Sequence, residues 1–285
     1  MEKRITNGES MNLGSADVYF FDLDGCVYHQ DEPVAGAGEL LRLLRQDGKR
    51  IGVITNNSRQ TAAEIEQKLL RMNLRIAADE ILTATELTGA YLMERHGRQT
   101  VTVIGSESLA HAIRQCGHEV AEAGAHGRTD AVVIGRDTDF TFDKLQRIVD
   151  LAGAGARVLA ANPDAFHPGG HGRRIPETGA LTAAVEAILG QSVDYVGKPG
   201  TYMYEYGMRK FDVRPQQCVM VGDNLLTDIA GGSHAGMRTV WVRGAGMNQR
   251  IAEEEGGRTG PVPDLVVDQL ADLLEAYRGS GNIRN

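Results

Sequence analysis

A chain of 285 residues with 42% hydrophobic content has material for one large domain or two ordinary ones, each with a buried core. Its net charge of -8, with 30 lysines and arginines scattered rather than blocked, argues against nucleic acid or an anionic membrane as the main partner. No apolar stretch approaches the length of a membrane span, and Met1 to Ala16 lacks the apolar core of a signal peptide, so a cytoplasmic location is the default expectation.

Apolar runs alternate with helical patterns from end to end, which is the signature of an α/β fold with a parallel sheet and crossover helices. The pattern predicts strands over Tyr19 to Leu23, Arg50 to Thr55, Val101 to Ile104, Ala131 to Ile134, Val158 to Ala161, Cys218 to Val221 and Thr239 to Val242. Helices are predicted over Glu39 to Gln46, Ala62 to Met72, Leu109 to Gln115, Lys144 to Ala152, Leu181 to Leu189 and Thr227 to Ala235. Asn162 to Gly179 is rich in glycine and proline, too broken for regular structure, and reads as a loop near a domain junction. The tail from Gly279 to Asn285 reads as frayed. Cys26, Cys116 and Cys218 are far apart and form no CxxC or Cys/His cluster, so neither a disulfide framework nor a zinc site is expected.

Four clusters at predicted strand ends carry the chemistry. The first is Val18 to Gly25, an apolar run without alternation that ends in Asp22 and Asp24. Such a run reads as a strand buried on both faces, with its carboxylates at the end where open α/β sheets collect ligands. Two carboxylates this close repel, and a hard cation such as Mg²⁺ would keep both ionised. Taken alone, the pair reads equally well as an Asp-Gly turn.

The second cluster is Ile51 to Ser58, where a strand runs into Thr55, Asn56, Asn57 and Ser58 before a helix starting near Gln60. Hydroxyls, amides and free N–H groups at a helix entrance suit a phosphate, and a plain helix cap accounts for Ser58 alone. The third is Tyr195 to Gly200, which fixes Lys198 between glycine and proline, where it can neutralise phosphate charge or sit as an exposed turn lysine. The fourth is Cys218 to Asp228, in which Asp223 ends an apolar strand and Asp228 follows in the first helical turn.

Together these clusters resemble the four motifs of the haloacid dehalogenase-like superfamily: FDLDG at 21–25, Thr55 after the second strand, Lys198, and GDN at 222–224 followed by Asp228. TNNSR at 55–59, ANPD at 161–164, GKP at 197–199 and GDNLLTDIAGG at 222–232 resemble the subclass that contains nitrophenyl, pyridoxal phosphate and phosphoglycolate phosphatases and a nucleotide monophosphatase. That resemblance implies a Rossmann-like core with a large α/β cap inserted between the second and third motifs. The expected layout is core over 1–82, cap over 83–191 and core again over 192–285.

The resemblance further implies that Asp22 attacks phosphorus to form an aspartyl-phosphate and that Asp24 protonates the leaving alcohol and then activates water. Mg²⁺ would be held by Asp22, the Asp24 main-chain carbonyl and Asp223, with Asp228 and Asn224 behind them, Asp228 orienting Lys198 or a water. Thr55, the backbone around Asn56, and Lys198 would grip the phosphoryl oxygens. Asn57, Ser58 and Arg59 face the expected substrate side, Arg59 as a partner for an anionic tail or as a plain surface residue. In the cap, Phe166 and His167 echo a Trp-His-Pro of pyridoxal phosphate phosphatases, and Glu177 departs from the glycine-rich stretch of many relatives.

The expected activity is therefore Mg²⁺-dependent hydrolysis of a small phosphorylated metabolite: a sugar phosphate, phosphoglycolate, glycerol phosphate, pyridoxal phosphate or a nucleoside monophosphate. A phosphotransferase or mutase with the same chemistry and a catalytically silent metabolite-binding regulator are the alternatives. Relatives of this kind often form homodimers through the cap, which leaves the oligomeric state of this chain open.

Overall fold

The computed structural model describes residues 12–121, 128–169, 173–244 and 260–280. Residues 1–11, Gly170, Gly172 and residues 281–285 of the predicted tail lie outside the described residues. The chain divides into two compact units, one of Met1–Ile54, Glu66–Ile81 and Tyr204–Asn285, the other of Thr55–Ile65 and Leu82–Met203.

In chain order, β1 (Val18–Phe21) leads through a small ribbon, β2 (Tyr28–His29) and β3 (Glu32–Pro33), to α1 (Ala37–Gln46), β4 (Arg50–Thr55), α2 (Ala62–Arg71) and β5 (Ile81–Thr83). Next come α3 (Ala84–His96), β6 (Thr100–Ile104), α4 (Glu107–Gln115), β7 (Glu119–Val120), β8 (Ala131–Ile134), α5 (Phe142–Gly153) and β9 (Arg157–Ala160). A second ribbon, β10 (Phe166–Pro168) and β11 (Arg174–Pro176), precedes α6 (Thr178–Leu189), β12 (Asp194–Tyr195) and α7 (Tyr202–Phe211). The chain closes with β13 (Cys218–Gly222), α8 (Ala230–His234), β14 (Arg238–Val242), β15 (Leu265–Val267) and α9 (Leu270–Gly279).

The larger sheet has the order β15-β14-β13-β1-β4-β5, and β1 pairs in parallel with both β13 and β4. All four residues of β1 are buried, which explains why the sequence shows no alternation: a strand covered on both faces has no solvent side. On one face Phe20 meets Phe211 edge-on at 5.3 Å; on the other Tyr19 meets Tyr277 at 6.1 Å. The strand stops at Phe21, because the Leu23 carbonyl accepts N–H bonds from Cys26, Val27 and Tyr28 and turns the chain. From β1 the order runs outward through β4 to β5, then resumes at β13 on the other side and runs out to β15. It therefore reverses between β1 and β13, where open α/β sheets bind ligands.

The second unit holds a five-stranded sheet, β12-β9-β8-β6-β7, with parallel pairing throughout. Ile104, Val132, Ile134, Ile148, Ala160, Val185 and Val193 form its core between strands and helices α5 and α6.

Two expectations need correction. Asn162 to Gly179 is not an irregular loop, since it contains the antiparallel pair β10 and β11. The bonds from Gly169 N–H to Arg173 O and from Glu177 N–H to Ala165 O set the alternation, and Pro168 and Pro176 fall at positions whose missing N–H would point away from the partner strand. Secondly, the helix expected from Thr227 begins as a π-turn over Leu225–Ile229 before α8 starts.

Cys26 and Cys218 are buried, and burial pushes the Cys218 thiol up to about 11. Among the described residues no helix is long and apolar enough to cross a membrane.

Removing the Phe20 ring should cost about 3–5 kcal/mol, because it empties the contact with Phe211 beneath the strand that carries Asp22. Urea unfolding of Phe20→Ala checks this, and a loss below about 1 kcal/mol would contradict the packing described.

Candidate active site

Asp22, Asp223 and Asp228 come from three consecutive features of the larger sheet's carboxyl edge. Asp22 follows β1 and its N–H donates to Val221 O of β13 at 2.9 Å. Asp223 follows β13, and Asp228 lies on the π-turn. Their carboxylate oxygens lie within 4.8 Å of one another, and all three residues are buried. At such a separation two unit charges repel by about 3 kcal/mol even at an effective dielectric constant near 20. The set is all oxygen, without sulfur or nitrogen, and it fits a hard divalent cation such as Mg²⁺.

The backbone around the acids is built to bring them close. Gly25 has a φ of +96°, and a Cβ there would fall 2.3 Å from Asp223 Oδ2. A Cβ on Gly222 would fall 2.3 Å from the Asp228 side chain. Trp241, the one tryptophan of the chain, donates its indole N–H to Asp223 O at 3.0 Å. Asn224 caps the π-turn, accepting from Leu226 and Thr227 N–H on Oδ1, while its own N–H donates to Asp228 Oδ2 at 3.1 Å. Ile229 N–H reaches back five residues to Asn224 O, and this wider turn is what carries Asp228 to the other two acids.

Asp24 is exposed, and its Oδ2 accepts a hydrogen bond from the Tyr28 hydroxyl at 2.9 Å. Burial first, and the Asp24 carboxylate second, hold the Tyr28 hydroxyl far above the ordinary phenol range, so it stays a donor.

In the second unit Thr55 is the last residue of β4 and is buried. The Asn56 side chain does not point at open solvent for a ligand; it clamps Lys198. Its Oδ1 accepts from Lys198 N–H at 2.7 Å, and its Nδ2 donates to Lys198 O and to Asp164 Oδ2, both at 3.0 Å. Asn162 Nδ2 donates to Asn56 O at 2.6 Å, and Asp164 N–H donates to Asn162 Oδ1 at 3.0 Å. The Lys198 side chain is only 2% exposed, and the Lys198–Pro199 bond is cis.

Asn57 Oδ1 accepts from the N–H groups of Arg59 and Gln60. Ser58 is buried, shares a hydrogen bond with Thr178 at 2.9 Å and accepts from Arg136 N–H at 3.1 Å. The Arg59 side chain is exposed, while its carbonyl accepts from Ser106. His167 Nδ1 lies 2.7 Å from Glu177 Oε1, and Arg136 approaches the same oxygen at 3.4 Å. Glu177 thus holds His167.

Within the first unit the structure joins Asp22, Asp223 and Asp228; within the second it joins Asn56 with Lys198. Tyr28, Trp241, Asn162 and Asp164 are contacts that sequence reasoning did not assign. ANPD at 161–164 stood out only as a family motif, and nothing in the pattern announced Tyr28 or Trp241.

The haloacid dehalogenase-like hydrolase family model matches residues 19–119, and a HAD-hydrolase-like model matches residues 195–273. Chronophin of Rattus norvegicus is 34% identical over 277 residues, covering 94% of this chain and 90% of that protein. Glycerol-3-phosphate phosphatase of Homo sapiens is 33% identical over 299 residues, covering 94% and 92%. The structure of 4-nitrophenylphosphatase from Thermotoga maritima superposes with a TM-score of 0.83 at 30% identity, covering 93% of this chain and 99% of that one.

Asn56→Asp replaces a double donor with an oxygen that faces Lys198 O and the Asp164 carboxylate, and it should destabilise the protein by about 1–3 kcal/mol. Denaturant unfolding checks this, and a value within about 0.5 kcal/mol of wild type would show that the clamp carries no weight.

Proposed function

As a member of the haloacid dehalogenase-like hydrolases, to which the chain belongs, the protein is a phosphatase of phosphoric monoesters, and we propose that it hydrolyses a small phosphorylated metabolite through an aspartyl-phosphate on Asp22. The observation that carries this reading is the buried set of Asp22, Asp223 and Asp228 at the reversal of strand order.

Asp22, Asp223 and the Asp24 carbonyl are the groups we assign to Mg²⁺, with Asp228 beside them; bound there, the ion supplies positive charge to the phosphoryl oxygens. In this scheme Asp22, directly after β1, attacks phosphorus, the role that the family resemblance implies for it. Asp24 gives its proton to the leaving oxygen and then takes one from the hydrolysing water. An alcohol leaving group needs that proton, which is why a second carboxyl two residues on favours phosphate esters over halides.

Thr55 and Lys198 hold the phosphoryl oxygens in this scheme, and Asn56 acts on Lys198 by fixing its backbone on both sides. Asn224 and Trp241 keep Asp228 and Asp223 in place. Substrate choice belongs to the inserted segment over 83–191, where His167 is held by Glu177. Relatives named for glycerol-3-phosphate and dihydroxyacetone support a small phosphorylated metabolite as the substrate class.

Purified protein should release phosphate from nitrophenyl phosphate in the presence of Mg²⁺, and Asp22→Asn should lower turnover by at least about 10³-fold. Chelation of the metal should abolish activity. Mg²⁺ should also raise the melting temperature of the wild type, and it should do so much less for Asp223→Asn, because an ion that binds only the folded state stabilises it. Wild-type protein without phosphate release, behaving the same as Asp22→Asn, would remove the basis for this function.

A further inference from the structure

Asp24 is exposed and forms an isolated β-bridge with Tyr28 across the turn at 25–27. A group that gives a proton to one oxygen and later takes one from water needs a single setting, since a misplacement of about 1 Å costs on the order of 10²-fold in rate. A contact suited to supply such a setting is the hydrogen bond from the Tyr28 hydroxyl to Asp24 Oδ2 at 2.9 Å.

Tyr28 is itself held from several directions. Its side chain is buried, its N–H donates to Leu23 O at 3.2 Å, and its carbonyl accepts from Gly25 N–H at 2.9 Å. Lys68 places its ammonium 4.1 Å from the centre of the Tyr28 ring, an attractive contact with the ring face, and lies 3.9 Å from Asp31. The hydroxyl therefore reports to Asp24 from a ring that is pinned by backbone, burial and cation together.

We propose that Tyr28 is the positioning residue for Asp24: its hydroxyl, bonded to Oδ2, sets the rotation of the carboxyl group that serves the leaving oxygen and the attacking water. This rests on the assignment of Asp24 as acid and base. In the first half-reaction an Asp22 oxygen bonds to phosphorus, the bond from phosphorus to the leaving oxygen breaks, and the Asp24 proton passes to that oxygen. In the second, a water oxygen bonds to phosphorus, the bond from phosphorus to Asp22 breaks, and a water proton passes to Asp24. Tyr28 keeps its own proton throughout.

Nitrophenolate departs without a proton and an alkoxide does not, so reliance on Asp24 in the first half grows with the basicity of the leaving group. Full-length Tyr28→Phe, with Mg²⁺, is compared with wild type and Asp22→Asn on nitrophenyl phosphate and on an alkyl phosphate that the wild type turns over. Rapid mixing gives the first turnover, and rates are expressed per burst-forming site, so that partial misfolding cancels. The first release of nitrophenol should change less than about threefold, while kcat on the alkyl phosphate should fall about 10- to 100-fold with KM within about threefold.

Lys68→Met keeps the stem, removes the charge over the ring, and should show the same substrate split at about two- to fivefold. Equal loss on both substrates, or no change in either variant, overturns the proposal. Turnover that survives in Asp22→Asn overturns the phosphatase mechanism instead, and the two failures are read from different proteins.

Discussion

Three carboxylates are held out of water within 4.8 Å of one another, and that electrostatic burden organises the edge of the larger sheet. Apolar strands bring β1 and β13 side by side at no electrostatic cost, but they deliver Asp22 and Asp223 to neighbouring positions. Repulsion would spread the acids unless the local backbone left them nowhere to go. Two glycines provide the room, an indole fixes the Asp223 carbonyl, and the π-turn capped by Asn224 brings in the third acid. A cation bound among these acids would offset their repulsion, so that ion binding would add to the stability of the fold.

The second unit solves a different problem, which is to fix a buried lysine carried on a short turn after β12. An amide side chain is both donor and acceptor, and Asn56 uses the two functions on the two backbone groups of Lys198, as a neighbouring strand would. Asn162 and Asp164 extend the network to a third segment. Ser58, two residues on, joins Thr178 at the start of α6 and Arg136 after β8. The short stretch after β4 is thus a hub whose side chains are largely spent on structure.

Much of this was legible in the sequence because parallel strands buried on both faces leave continuous apolar runs, and β4 and β8 match the predicted bounds. Asp22, Thr55, Lys198 and Asp223 stood out for the same reason: each is a polar residue at the end of such a run or of a short strand. Helix α3 left no readable stripe, since Ala84, Thr85, Leu87, Thr88, Gly89 and Leu92 are buried around more than one side. The clamp of Asn56 on Lys198 spans 142 residues and leaves no local pattern. Asp228 was legible as an acid but its closeness to Asp22 was not, because a single extra residue in a helical turn has no compositional mark. Proline and glycine density hid the β10 and β11 ribbon, since turn chemistry and edge-strand chemistry draw on the same residues.

That ribbon has a consequence for how the protein behaves in a crowded solution. An isolated two-stranded ribbon offers two open edges, and open edges recruit strands from other chains. Pro168 on one strand and Pro176 on the other both fall where an outward N–H would otherwise be presented. Each edge therefore lacks a donor at the point where a third strand would dock. The same prolines that make the segment look unstructured thus blunt the two edges, by the chemistry that edge strands commonly use against pairing with other chains.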